Sequence, residues 1–187
     1  MTSYARASCV VFRKTKETWG GLSNMAAGFP LLVTGTRILT SEALYQACRF
    51  PNHPEVQRAI IAAKSPMSAK MAAKPFRAQT RSDWNEVRVD VMRWCLRVKL
   101  KQNWSSFERL LRATGDKPIV EDSHKDQFWG AVPLKTNHDT LVGENVLGNL
   151  LVELRQEVAS GTRTPSTPAD AFPIRDFLLL GKPIPAL

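Results

Sequence analysis

Glu42, Gln46 and Arg49 stand at i, i+4 and i+7, so a helix through them brings a carboxylate, an amide and a guanidinium onto one face, with Leu44, Ala47 and Cys48 turned the other way. Such a face suits acid–base chemistry. A carboxylate in a first helical turn also has the plainer role of favouring the helix dipole. Two neighbours add weight to the chemical reading: the glycine-rich loop Trp19 to Met25, which carries Asn24, and an aromatic-rich segment downstream. That segment, Glu121 to Gly130, sets Asp122 and Asp126 beside Phe128 and Trp129. An aromatic face beside a carboxylate can hold a base or a sugar during acid chemistry. Trp129 as a core plug with Asp126 as a turn cap is the structural alternative. A third candidate, Gly143 to Gly148, runs into a helix whose first amides could hold a phosphate. It lacks the Walker lysine–serine pair and the strand-first context of a dinucleotide fold, so a plain cap is its default. His53, His124 and His138 have neither helical nor finger spacing and no cysteine pair beside them, so no metal site is expected. Cys48 and Cys95 read as packing residues within helices.

The elements that must position these groups follow from periodicity and capping. Strands are expected at Cys9 to Phe12 and in a short hairpin around Val33 and Ile38, with Gly35 in its turn. Thr40 or Ser41 can cap a helix to about Phe50; Pro54 opens a second, and Ser65 caps a third with Pro66 following. Trp84, Val87, Val91, Trp94 and Val98 step by three and four, one buried stripe of a long helix starting near Ser82. Arg88, Arg93, Arg97, Lys99 and Lys101 fall off that stripe. A helix through Phe107 and Leu111 stops at Gly115, and Ile119 and Val120 suit a short strand. Residues 121–144 read as one long loop. The last strong helix is expected from Asn145 to Val158, followed by a Thr/Pro/Ser-rich linker and an apolar tail, Ile174 to Leu187, that docks back on the body.

With 187 residues, 43% apolar and 23% charged, the chain has the composition of a globular domain large enough to bury a core without staples. Three scattered cysteines exclude a disulfide framework and favour a reducing, cytoplasmic setting. No signal peptide and no span of about 20 apolar residues is legible, so no membrane partner is expected. Lys and Arg total 26 against 17 acids, a net charge of +9, which favours polyanionic partners such as nucleic acid or nucleotide phosphates.

Six blocks together carry a resemblance. They are Gly-Gly-Leu-Ser-Asn-Met at 20–25, Thr-Ser-Glu-Ala-Leu-Tyr-Gln-Ala at 40–47, Ser-Pro-Met-Ser-Ala-Lys at 65–70, and Arg-Ser-Asp-Trp at 81–84 with Met92 beyond it. Asp-Gln-Phe-Trp-Gly at 126–130 and Gly-Glu-Asn-Val-Leu-Gly at 143–148 complete the set. In this order, over roughly residues 9–158, they resemble the NADAR, or YbiA-like, family. The expected fold is α+β, predominantly α-helical, a single compact domain with a small N-terminal β-element: residues 1–159 are the family domain, and the linker and docking tail at 160–187 lie outside the family core. The resemblance implies a hydrolase that cleaves ribosyl–nitrogen bonds without metal or other cofactor. Carried over by position, Glu42 and Asp126 are the expected catalytic groups and Asn24, Lys70, Trp84, Trp129, Asn145 and Gly148 the expected ligand-binding ones; Arg49 joins the latter as a second cation for phosphate, with a solvated surface charge as the alternative for it and for Lys70. Trp84 has a structural alternative as pocket floor, since it opens the apolar stripe. Arg49-Phe50 departs from the Lys-Phe of many relatives, and the loop after Trp129 is longer than theirs.

Cleaving such a bond builds positive charge on the ribose, which a carboxylate stabilises while an acid protonates the departing nitrogen. Glu42 is expected in the first role and Asp126 in the second or in positioning water, with Trp129 and Trp84 stacking on base or sugar. Two substrates fit the resemblance: ADP-ribosylated guanine in DNA, which the basic charge favours and which would partner a cognate ADP-ribosyltransferase toxin in an antitoxin role, and ribosylamino-pyrimidine phosphates of riboflavin synthesis. A module that binds ADP-ribose or nucleic acid without turnover is the reading from another class.

Overall fold

The computed structural model describes residues 1–170 and 173–187. In chain order the elements are β1 (Thr2–Ala5), β2 (Val10–Phe12), β3 (Leu31–Val33), β4 (Thr36–Ile38), α1 (Ser41–Ala47), α2 (Pro54–Ile61), α3 (Pro66–Ala73) and α4 (Trp84–Gln102). There follow α5 (Trp104–Ala113), β5 (Ile119–Glu121), β6 (Val132–Leu134), β7 (Asn137–Gly143), α6 (Val146–Ala159), β8 (Leu178–Leu179) and β9 (Lys182–Pro183). The fold is α+β and mainly helical. The chain divides into two compact units, one of residues 1–23 with 105–164, the other of 24–104 with 165–187.

In the first unit, β1, β7 and β6 form an antiparallel sheet with β7 in the middle, and β2 pairs in parallel with β5. Val120, Ala131 and Leu141 are fully buried, with Tyr4, Cys9 and Val11 packed on them. The long loop expected over 121–144 is therefore half strand. Its signal was hidden because β7 opens on four polar residues, Asn137 to Thr140, the first three of them exposed, and because Pro133 sits in β6, where only an edge strand tolerates proline. Strand β1, which the sequence left unread, is likewise largely exposed and pairs with β7.

In the second unit, α1 packs on α2, α3 and α4, and β4 lies against α1. Thr40 caps α1 by accepting from Ala43 N–H, and Ser65 caps α3 by accepting from Ser68 N–H, with Pro66 opening the helix. Helix α1 ends at Ala47, three residues short of the expected boundary. Arg49 and Phe50 donate instead to carbonyls three residues back, and Pro51 disfavours helical backbone at Phe50. Thr34 and Gly35 both adopt positive φ, the geometry of the tight turn that joins β3 to β4. In α4 the expected single stripe is too narrow: Met92, Cys95, Leu96, Lys99 and Leu100 are buried along with Val91, Trp94 and Val98. Lys99, read as lying off the stripe, is 1% exposed with its ammonium 4.5 Å from the Phe29 ring centroid.

The described part of the tail is tied to this second unit. Buried Gln57 donates to the carbonyls of Ala47 and Leu178 and accepts from Leu180 N–H. Trp94 Nε1 donates to the Ala169 carbonyl, its ring meets Phe177 edge-on, and Arg81 donates to the Arg175 carbonyl.

Candidate active site

Helix α1 is the spine of the candidate site. Gln46 Nε2 donates to Glu42 Oε1 at 2.9 Å, and Arg49 Nη1 donates to Gln46 Oε1 at 3.0 Å, so the i, i+4, i+7 face is one chain of hydrogen bonds. Arg49 Nη2 also donates to Thr80 Oγ1 at 3.1 Å. Glu42 is 7% exposed, and its Oε2 accepts no hydrogen bond among the described residues. Burial pushes its carboxyl above the usual carboxylate range; the Gln46 hydrogen bond and the charges of Lys70 and Arg49 pull it part of the way back. The result is a carboxylate held in one orientation in a poorly solvated place, where its charge acts strongly on whatever lies beside it.

Aromatic and amide groups complete the setting. Trp84 stands against Tyr45 with ring centroids 5.0 Å apart, and the Arg49 guanidinium lies 5.6 Å from the Trp84 ring centroid. Trp84 is thus a side wall of the Arg49 end of α1 rather than the first residue of a buried stripe. Asn24 meets the start of the same helix: its carbonyl accepts from Glu42 N–H, and its Nδ2 donates to Met92 Sδ. Its Oδ1 is buried and takes no partner among the described residues, and the same holds for Ser41 Oγ. Two unsatisfied buried oxygens next to Glu42 are costly unless something donates to them.

A cavity of about 280 Å³ opens at the Arg49 end, lined there by Gln46 and Arg49 and across from them by Lys70 and Lys74. Met67 and Met71, 58% and 52% exposed, and Arg77 complete the lining. Lys70 was expected at the site; Lys74, Arg77, Thr80 and Tyr45 were not. The spacing Lys70, Lys74, Arg77 repeats the i, i+4, i+7 signal of α1, but the chain leaves the helix after Ala73 for a 3-10 segment over Lys74–Gln79 that carries Pro75 and is kinked at Phe76.

The remaining expected residues belong to the first unit. Asp126 is exposed, and its Oδ1 accepts from the N–H groups of Phe128 and Trp129, a turn cap that fixes the two rings edge to face. Trp129 is half-buried. The start of α6 is not a free anion cradle. The N–H groups of Glu144, Asn145, Val146 and Leu147 donate to the carbonyls of Gln127, Gly130, Phe128 and Trp129. Asn145 and Gly148, expected to hold ligand, both have structural work. Asn145 is fully buried in left-handed backbone; its Oδ1 accepts from Glu121 N–H and its Nδ2 donates to the Ile119 carbonyl. A Cβ on Gly148 would stand 2.0 Å from that same carbonyl oxygen. Among the described residues no three histidine, cysteine, aspartate or glutamate side chains gather as a metal-ligand set.

The NADAR domain family model matches residues 11–159. Over 148 residues the chain is 34% identical to the N-glycosidase YbiA of Escherichia coli strain K12, covering 79% of this chain and 87% of that one. Over 151 residues it is 34% identical to a riboflavin biosynthesis protein of Vibrio vulnificus; the match covers 80% of this chain but spans only 38% of that relative's length. The solved NMR structure of Escherichia coli YbiA is similar at a TM-score of 0.67 and 30% identity, over 84% of this chain and 92% of that one.

Proposed function

The chain belongs to the NADAR family of N-glycosidases, and from that premise we propose that it removes ADP-ribose from guanine bases of DNA, with Glu42 as the catalytic carboxylate. The observation that carries this reading is the buried Glu42 carboxylate, braced by Gln46 and Arg49, at one end of a helix face whose other end opens on a cation-lined cavity. In the reaction the bond from C1′ of ribose to nitrogen breaks, its electron pair leaving with the base. Positive charge gathers over C1′ and the ring oxygen, where a fixed anion in a poorly solvated site lowers the barrier most. Water then adds to C1′ and gives up a proton, while the departing nitrogen gains one. Glu42 supplies the anion and orients the water through Oε2. Trp84 offers its ring to the base or sugar, and Asn24 Oδ1 and Ser41 Oγ accept from ribose hydroxyls or water. A cognate ADP-ribosyltransferase toxin would supply the adduct.

A second reading, hydrolysis of ribosylamino-pyrimidine phosphates, is favoured by the likeness to the Vibrio vulnificus riboflavin biosynthesis protein. Mass spectrometry of a DNA oligomer carrying ADP-ribosylguanine separates the two. Wild type is expected to release free ADP-ribose and restore guanine, and Glu42→Gln, correctly folded, to lose at least about a hundredfold in rate, the scale of a lost electrostatic group. An intact adduct after incubation with folded wild type moves the assignment to the pyrimidine phosphates. Retention of the oligomer without product identifies a binding module.

A further inference from the structure

Helix α1 has seven residues, and so short a helix does not hold its own last turn; the carbonyls that end it need partners from outside. Gln46 and Arg49, which brace Glu42, stand in and just beyond that turn. The backbone beside them is held at two points. Gln57, fully buried, donates from Nε2 to the Ala47 carbonyl at 3.1 Å, and Arg81 N–H donates to the Arg49 carbonyl at 2.9 Å. Both residues are tied in turn to one piece of the tail. Gln57 Nε2 also donates to the Leu178 carbonyl at 3.0 Å, and Gln57 Oε1 accepts from Leu180 N–H at 2.6 Å. Arg81 Nη2 donates to the Arg175 carbonyl at 2.6 Å while the guanidinium forks onto Asp83. Thr80, which accepts from the Arg49 guanidinium, is the chain neighbour of Arg81. The tail piece is a hairpin of β8 and β9, turning through Leu180 and Gly181 at φ 52 and 80. Glycine meets such geometry freely; leucine does so under strain, which persists only where the surroundings fix it. Here Leu180 N–H on Gln57, the fully buried Leu179 and the Phe177 ring against Trp94 fix it. The hairpin lies beyond residue 159, where the family match ends.

We propose that this hairpin is a positioning element of the candidate active site: through Gln57 and Arg81 it fixes the last turn of α1, and with it the Gln46 amide and Arg49 guanidinium that orient Glu42. This rests on the reading of Glu42 as the reactive carboxylate. Once the hairpin leaves, Gln57 keeps only the Ala47 carbonyl of these partners and the Arg81 side chain keeps only Asp83. The last turn then frays, and the Gln46 hydrogen bond to Glu42 weakens with it. That bond holds the Glu42 carboxyl down more than the charges of Lys70 and Arg49 do. Tyr45 and Cys95, which also act on Glu42 or feel its charge, stay neutral in this range because burial pushes both up. Undocking therefore raises the pH at which Glu42 titrates.

Carbon-13 NMR titration of the Glu42 carboxyl in the full chain tests this without recourse to turnover. Leu179→Asp puts a charge into a fully buried seat, so the hairpin leaves, and the Trp94 ring signals, set by the edge-on Phe177, report its departure. The Glu42 midpoint is expected to move up by about half a pH unit, the worth of one weakened hydrogen bond. Leu179→Met refills the seat and is expected to titrate like wild type. Arg81→Lys keeps the charge and the backbone N–H but loses the fork that spans Asp83 and the Arg175 carbonyl. It is expected to move the midpoint the same way by less, and it decides the matter where Leu179→Asp stays docked or fails to fold. A Glu42 midpoint equal to wild type, in a folded Leu179→Asp with shifted Trp94 signals or in a folded Arg81→Lys, overturns the proposal. The adduct assay reports separately. Cleavage by wild type with a midpoint that undocking does not move leaves the function standing and removes the role of the hairpin; a moved midpoint without cleavage does the reverse.

Discussion

Glu42 illustrates how one residue's surroundings set its chemistry. Its carboxyl is driven up by burial and drawn down by Gln46, Lys70 and Arg49, in that order. As an electrostatic stabiliser it must be ionised, so the acid limb of kcat/KM belongs to it and is expected above the ordinary value of about 4.3. Gln46→Leu removes the hydrogen bond to the charged form, so its limb moves further towards neutral pH; Lys70→Ala moves it the same way by less. A limb that stays put in Gln46→Leu shows that another group titrates there. The carboxylate–amide–guanidinium face was legible because helical spacing alone aligns Glu42, Gln46 and Arg49. The turn cap of Asp126 was legible only as an alternative, and the structure shows that cap. The backbone roles of Asn145 and Gly148 were not legible, because a motif position says that a residue matters, not whether it serves a ligand or the backbone.

Between elements, the decisive contact of the first unit is α6 against β5. Asn145 takes both a donor and an acceptor of β5, and Gly148 lets the helix backbone approach where any side chain would collide with the Ile119 carbonyl. Gly148→Ala must push α6 off β5 and is expected to cost about 1–3 kcal/mol, the range for overpacking. Asn145→Ala leaves two buried backbone groups unpaired and keeps the left-handed backbone, so about 2 kcal/mol or more is expected. Urea midpoints of the two variants check both figures, and a Gly148→Ala midpoint equal to wild type shows that the helix can retreat at no cost. Caps and prolines made α1, α2 and α3 readable from sequence, since Thr40, Pro54 and Ser65 act within their own turns. The pairing of β7 with β1 and β6 was not, because it joins Thr2–Ala5 to residues more than 130 positions away and its polar half carries no alternation.

For the molecule as a whole, the net charge of +9 is less a uniform surface property than the sequence suggests. Lys99 lies inside the second unit, where burial pushes its ammonium down to about 7 from a usual 10.5. The periodicity of α4 gave no hint of this, since a lysine off the apolar stripe reads as solvated, and only packing around most of the helix encloses it. The consequence falls on stability. Between about pH 7 and 10.5 the unfolded chain holds a proton on Lys99 that the folded chain has released, so folding is favoured as pH rises through that window. Below about 7 both states carry the proton and the whole penalty of the buried charge remains. Above pH 9 the Cys95 thiol, pushed up by burial, opposes the trend, because there the folded chain holds the extra proton. The comparison is therefore made between pH 7 and 9. Wild type is expected to gain melting temperature over that interval, and Lys99→Met, which keeps the stem over Phe29 without the charge, to start higher at pH 7 and gain less. Parallel curves for the two proteins would mean that Lys99 stays protonated in the folded chain, its charge held by the Phe29 ring and its other neighbours.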